Sequence, residues 1–210
     1  MDLSKVDSHA LAEQLRTPEG AMGEEVGKAM AQYNVPANAF VFEHLTIKPV
    51  DHVLEIGFGP GEGIAEAVRL TPNGYVAGID HSATMLSMAE ERNYKALMQE
   101  AAELLVGEAS ALPYEDESFH VVFAVNVFHF WKDPTVELTE CKRVLKPGGV
   151  IALYMAHPSS WPQGFAESGI FIAREPEEVQ RMLQDCGFRE TDIHISTTED
   201  GKGFLVKGVK

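Results

Sequence analysis

The stretch V-L-E-I-G-F-G-P-G-E-G, residues 53–63, constrains this chain more than any other. Val53, Leu54 and Ile56 form a short apolar run, the length of a buried parallel strand. Glycines follow at Gly57, Gly59, Gly61 and Gly63. After them Ile64, Ala65, Ala67, Val68 and Leu70 recur at helical spacing. Strand, glycine loop and helix is a geometry for holding a nucleotide-like ligand against backbone. Glycine suits the loop because it reaches positive φ and lets a ligand approach the main chain. A dinucleotide loop needs G-x-G-x-x-G. Counted from Gly57 the sixth position is Glu62, and from Gly59 it is Ile64, so both registers fail.

Composition narrows the partners. A chain of 210 residues suits one α/β domain, and 45% hydrophobic residues are enough for a packed core. The 32 acidic and 17 basic residues leave a net charge of −15. That argues against a nucleic-acid partner, because phosphate backbones are bound by clustered Lys and Arg. The first ten residues lack the apolar core of a signal peptide, and no run of eighteen apolar residues exists, so no membrane partner is expected. Cys141 and Cys186 lie far apart and read as free thiols of a reducing cytoplasm. No Cys/His spacing suggests a metal, and no internal repeat or Ser-His-Asp hydrolase signature is present.

Residues 1–47 read as a helical segment ahead of a domain at 48–210. Helical patterns cover residues 11–16, 24–33 and 37–45, interrupted at 17–20 and ended again at Pro36. Pro72-Asn73-Gly74 makes a turn into a second strand at 75–79. Asp80 then stands at the strand's carboxyl end, expected to be exposed. A carboxylate about 20 residues past the glycines can accept both hydroxyl protons of a ribose. Ser82 is a cap for a helix over 82–101. Strands are expected at 103–107, 119–126 and 150–155. A helix at 135–145 stops at the turn 146–149, and Pro176 opens another at 177–185. Residues 189–196 and 204–209 alternate like paired strands joined by an Asp200-Gly201 turn. Five strands alternating with helices, then a hairpin, predict an α/β fold with a mostly parallel sheet and right-handed crossovers.

Four segments carry a family resemblance: E-x-G-x-G-x-G from Glu55 to Gly61, Gly107-Glu108-Ala109, Leu112-Pro113-Tyr114 with Ser118-Phe119-His120, and R-V-L-K-P-G-G-V-I-A-L at 143–153. In that order and spacing they resemble the class I S-adenosylmethionine (SAM)-dependent methyltransferases of small-molecule type. The resemblance implies a Rossmann-like, seven-stranded, mostly parallel sheet in the order 3-2-1-4-5-7-6. It implies SAM as cofactor and S-adenosylhomocysteine as product. Cofactor-binding candidates are Glu55, Gly57, Gly59, Gly61 and Asp80, with His81 and Met85 beside them. Glu108 and Ala109 would meet the adenine, and Asn126 and Val127 the methionine part. His120 replaces an acidic residue of the family pattern at a position away from the pocket.

The resemblance also places residues 1–47 over the site, with Tyr33, Phe40 and Trp161 as substrate-side candidates. His129 and His157 are candidate bases, needed only where the acceptor is a hydroxyl or an acidic carbon. There is no N-P-P-Y or D-P-P-Y after the fourth strand, which lowers the weight of nucleobase amines as acceptors. The expected activity is methyl transfer to a small-molecule acceptor by a monomer or homodimer. Two alternatives remain: a non-catalytic SAM-binding partner subunit, and an NAD(P)-dependent dehydrogenase, which the failed dinucleotide loop disfavours.

Overall fold

A computed structural model describes residues 3–198 and 201–210. Three helices come first: α1 (Ser8–Arg16), α2 (Gly20–Tyr33) and α3 (Val35–His44). Asp7 caps α1, its carboxylate accepting from the His9 and Ala10 amides. Pro36 does not end a helix but sits in the first turn of α3, where its missing N–H costs nothing. A single residue, Asn34, therefore separates α2 from α3.

The sheet domain then runs β1 (His52–Ile56), α4 (Glu62–Leu70), β2 (Tyr75–Asp80), α5 (Ala83–Met98), β3 (Ala102–Val106), β4 (Phe119–Val125), α6 (Thr135–Val144), β5 (Leu145–Ala156), α7 (Pro176–Asp185), β6 (Arg189–Thr198) and β7 (Gly201–Val209). The seven strands are ordered β3-β2-β1-β4-β5-β7-β6. β7 runs antiparallel to both neighbours, and the other pairings are parallel. This is the Rossmann-like sheet expected. Residues 146–149 belong to β5 and do not form a free turn. The register between β4 and β5 jumps there, Phe119 facing Leu145 and Val121 facing Val150. Gly148, at φ 76°, absorbs the bulge, and its amide donates to the Lys210 carbonyl. Of the expected Asp200-Gly201 turn, Asp200 lies outside the described residues.

Alternation along the strands builds two apolar layers. Leu54, Ile56, Val122, Ala124, Ile151 and Leu153 face α6 and α7 through Leu138, Cys141, Val179 and Leu183. Val53, Val76, Val121, Phe123 and Ala152 face α3, α4 and α5 through Val41, Ile64, Ala67 and Ala89. A third, smaller cluster joins α1 to residues 161–171 through Ala12, Phe165, Ile170 and Phe171. It lies over the carboxyl ends of the strands, where open parallel sheets hold ligands. Both cysteines are free thiols. Among the described residues no helix is long and apolar enough to cross a membrane, and no cluster of His, Cys, Asp or Glu could hold a metal.

Candidate functional site

The loop between β1 and α4 needs its glycines. Gly57, Gly59 and Gly61 have φ of 66°, 52° and 89°, a region that side-chain-bearing residues rarely enter. A Cβ at Gly57 would run into Val127. Gly61 caps α4 in the left-handed conformation, and its carbonyl accepts from Asn93 Nδ2 at 3.0 Å. Arg92 Nε donates to the Pro60 carbonyl at 2.9 Å. Two polar side chains of α5 thus clamp the loop. Sequence reading missed both, because a polar residue inside a helix pattern reads as a solvated face. Gly61 shapes the loop from beneath, while Gly57 and Gly59 line the cleft above it.

Asp80 is not the exposed carboxylate that its strand-end position suggested. It is 9% exposed. One oxygen accepts from the Gly59 amide and the other from the Ser82 amide, both at 2.9 Å. The side chain therefore ties the end of β2 to the glycine loop of β1 and to the start of α5. Burial raises its pKa, and the two N–H groups oppose that rise. Ser82 does cap α5, accepting from the Met85 amide at 3.1 Å, and its hydroxyl donates to the Pro18 carbonyl at 2.5 Å.

Glu55 is buried too, and its Oε2 has no hydrogen-bond partner. Burial first, then the charges of Glu62 and Asp80, hold its carboxyl well above the usual carboxylate range. A Cβ at Gly63 would collide with this carboxylate. Glu55, Glu62 and Asp80 thus crowd acidic charge around one cleft, and Arg92 neutralises only Glu62, at 2.5 Å. Met85, Glu108, Ala109, Asn126 and Val127 complete the lining with His81. A crowded set of carboxylates, one with an orphaned oxygen, fits a ligand that carries positive charge, and the glycine loop fits close approach of its main body. SAM, a sulfonium, meets both conditions. The cleft leaves about 80 Å³ free, below the roughly 300 Å³ usual for ligand pockets. Side chains of the cover, Met30 and Arg16 among them, have to give way to a ligand of that size.

The cover is pinned to the strand ends by specific bonds. His81 Nε2 lies 2.6 Å from the Arg16 carbonyl and 3.1 Å from Thr17 Oγ1, so it holds the end of α1. Asn126 adopts φ 57°, which Asn tolerates better than most residues. Its Nδ2 donates to Asn34 Oδ1 at 3.0 Å, and its Oδ1 accepts from the Ala156 amide at 2.8 Å. One amide therefore joins β4, β5 and the α2–α3 junction. Asn34, Met30 and Leu15 were not singled out from sequence, since nothing local in α1 or α2 marks which face covers a distant strand end.

Beside the cleft lies a second cavity of about 260 Å³. Leu11, Val26, Tyr33, Trp161, Phe165 and Phe171 line it with His129. His129 is 3% exposed, stacks on Phe171 at 4.4 Å between centroids, and has no partner on either ring nitrogen. Burial, aided by the nearby Arg174 charge, pulls its pKa down to about 3. It is a neutral imidazole at physiological pH and a poor proton acceptor, which weakens the general-base expectation. His157 lies outside both cavities, 2.7 Å from Ser159 Oγ and 3.3 Å from Glu175. Phe40 also lies outside, packing against His44 and Tyr154, so neither reaches the place expected of it. Trp161 does line the cavity, its Nε1 donating to the Ala156 carbonyl at 3.0 Å.

Comparison with known proteins agrees with this geometry. Residues 54–153 match the family model described as a methyltransferase domain. The uncharacterized methyltransferase YdaC of Bacillus subtilis is 31% identical over 129 residues, which are 61% of this chain and 69% of that protein. The 27-O-demethylrifamycin SV methyltransferase of Amycolatopsis mediterranei is 37% identical over 156 residues, 68% of this chain and 56% of that one. The chain thus spans little more than half of the second relative. Among solved structures, a SAM-dependent methyltransferase from Aquifex aeolicus superposes with a TM-score of 0.69 at 22% identity, covering 98% of this chain and 99% of that one.

Proposed function

The chain belongs to the class I SAM-dependent methyltransferase family, and from that premise we propose that it methylates a small, largely apolar molecule held in the cavity beside the cleft. One observation carries the proposal. The two cavities share a wall, since Leu15, Met30, Asn34, Asn126 and Phe130 line both. A cofactor in the cleft and an acceptor in the cavity would therefore be neighbours. The cavity lining is apolar and aromatic and carries no Lys, Arg, Asp or Glu among the described residues, which suits neither a phosphate backbone nor a charged protein tail. The similarity to a protein named for methylating 27-O-demethylrifamycin SV supports a small-molecule acceptor.

When bound, SAM supplies a methyl group already activated on a sulfonium. The chain's own work is to bind, orient and exclude water. In this reading the backbone at Gly57 and Gly59 lies against the cofactor, and Asp80 accepts the ribose hydroxyls while holding the loop. Glu55 offers a buried carboxyl whose ionised form a cationic ligand favours, Met85, Glu108 and Ala109 flank the adenine, and Asn126 and Val127 border the methionine end. Residues 1–47 serve as the cover, with His81 and Asn126 as its fasteners. Tyr33 and Trp161 contact the acceptor, and alignment of acceptor and methyl carbon supplies most of the rate. Two free cysteines suit a reducing compartment such as the cytoplasm.

The test is to incubate the protein and methyl-labelled SAM separately with cell-extract small molecules, total RNA and total protein. Label is expected in the small-molecule fraction. Label confined to RNA or protein would overturn the reading.

A further inference from the structure

Among the described residues, His129 is the one polar side chain lining the apolar cavity whose hydrogen-bonding atoms are all buried and all unpartnered. A neutral imidazole has one donor and one acceptor nitrogen, and leaving a buried polar atom without a partner destabilises the fold. Folded chains carry few such atoms, and each calls for a reason. Protein groups nearby are already committed. Arg174 donates to the carbonyls of Phe128 at 3.1 Å, Trp131 at 2.5 Å and Lys132 at 3.3 Å, so its guanidinium braces the segment that carries His129 and makes no hydrogen bond to the imidazole. Trp161 Nε1 is held by the Ala156 carbonyl, and the Asn126 amide by Asn34 and Ala156.

We infer that His129 reads the acceptor: the cavity takes a neutral, ring-bearing molecule whose hydroxyl hydrogen-bonds to the His129 imidazole. This rests on the function proposed above and names the acceptor's chemistry. Three features converge on it. The aromatic side chains Phe130, Trp161, Phe165 and Phe171 surround the cavity, and they favour a flat ring that can meet them face or edge. No charged side chain faces the cavity among the described residues, so an ionised ligand would be left uncompensated. The orphaned acceptor nitrogen of His129 is satisfied only by a donor, which a hydroxyl provides and an ether does not. His129 is a positioning residue here. It stays neutral, and it orients the ring within the cavity that adjoins the cleft.

The experiment measures binding without SAM, so its outcome is independent of whether methyl transfer to small molecules is detected. Four two-ring probes are titrated by quenching of tryptophan fluorescence: 1-naphthol, 1-methoxynaphthalene, naphthalene and 1-naphthoate. The same titrations are run on His129→Phe. Phenylalanine preserves the ring stacked on Phe171 and removes two buried orphan atoms, so the variant is expected to melt at the wild-type temperature or above it. In the wild type, 1-naphthol should bind about tenfold more tightly than naphthalene, with 1-methoxynaphthalene, which can accept from the imidazole N–H but cannot donate to its acceptor nitrogen, between the two and 1-naphthoate weakest. In His129→Phe the naphthol preference should fall to within twofold while naphthalene affinity is kept. A nitrogen-15 spectrum of the histidines should show the His129 ring shift on adding naphthol and not on adding naphthalene. Equal binding of naphthol and naphthalene by the wild type would overturn the inference. So would a preference that survives His129→Phe, tightest binding of 1-naphthoate, or no binding of any probe.

Discussion

Asp80→Ala separates the structural role that its two backbone bonds give this carboxylate from the ribose-binding role proposed for it. The wild-type side chain accepts two backbone N–H groups, from Gly59 and Ser82, at 2.9 Å each. A hydrogen bond to a charged group contributes about 1.5–3 kcal/mol, but burying that charge offsets part of the gain. The direction of the pKa shows the offset is large, since burial outweighs the two N–H groups and the carboxyl sits above its usual range. A net loss of about 2 kcal/mol is therefore expected in Asp80→Ala, well short of the sum of two bonds. For a chain of this size that lowers Tm by roughly 4–8 °C. SAM affinity should fall further, by about 2–3 kcal/mol or roughly 30- to 150-fold, because the ribose acceptor is lost and the Gly59 amide is released. Asp80→Asn keeps one acceptor oxygen but turns an NH₂ toward one of the two amides, so it should lie between the two. Differential scanning fluorimetry reads the first quantity and titration calorimetry with SAM the second. A Tm within about 1 °C of wild type would refute the structural half of the reasoning. A SAM affinity within twofold of wild type would refute the binding half.

Two further outcomes follow from the loop and its acids. Gly61→Ala places a Cβ 2.6 Å from Asn93 Nδ2 and 2.9 Å from the Ala89 side chain at a φ of 89°; it should cost about 2–4 kcal/mol and abolish thermal stabilisation by SAM. Gly148→Ala, also at positive φ but with open space around it, should cost only about 1 kcal/mol and leave SAM binding intact. Glu55 and Asp80 both have folded-state pKa values raised above their unfolded ones. The stability they contribute is present below the unfolded values and is lost as pH rises through the folded values. A cationic ligand favours the ionised forms, so SAM-induced thermal stabilisation should grow as pH rises above the usual carboxylate range. Glu55 faces Glu62, Asp80 and the Ile64 amide, and Asp80 faces His81, Glu108 and the Gly59 and Ser82 amides. Glu55→Gln should flatten the trend, and an equally steep trend in that variant would contradict it.

The sheet was legible because its signals are local and periodic. Val53, Leu54 and Ile56 before the glycines, and the V-V-F-A-V run at 121–125, mark strands buried on both faces. Val121, Phe123 and Val125 then sort to one layer and Val122 and Ala124 to the other by alternation alone, while Phe119, beyond the register shift, joins the second. The cleft was legible where a backbone requirement imposes a residue type, as at Gly57 and Gly59. Its neighbours were harder. Asp80 looked exposed because strand ends usually are, and only the approach of Gly59 from another strand buries it. Phe40 lies on a helix with no strong apolar face, and spacing along α3 does not reveal that this ring turns toward Tyr154. Arg174 reads from sequence as a surface charge, yet three carbonyls that the chain exposes at 128–132 draw it into the interior. His129 was visible as a candidate, but its solitude was not, since the absence of a partner is a property of the packed neighbourhood.

In the function proposed above, the cavity next to the cleft holds the methyl acceptor. Filling it tests that most directly. Val26 and Ala156 line the cavity and are absent from the cleft lining. The measurement is the initial rate of label transfer from SAM to the small-molecule fraction in Val26→Phe and Ala156→Leu, with SAM affinity determined on the same preparations. Transfer at least tenfold slower, with SAM affinity within about threefold of wild type, is the expected result. Undiminished transfer in both folded variants would contradict the claim.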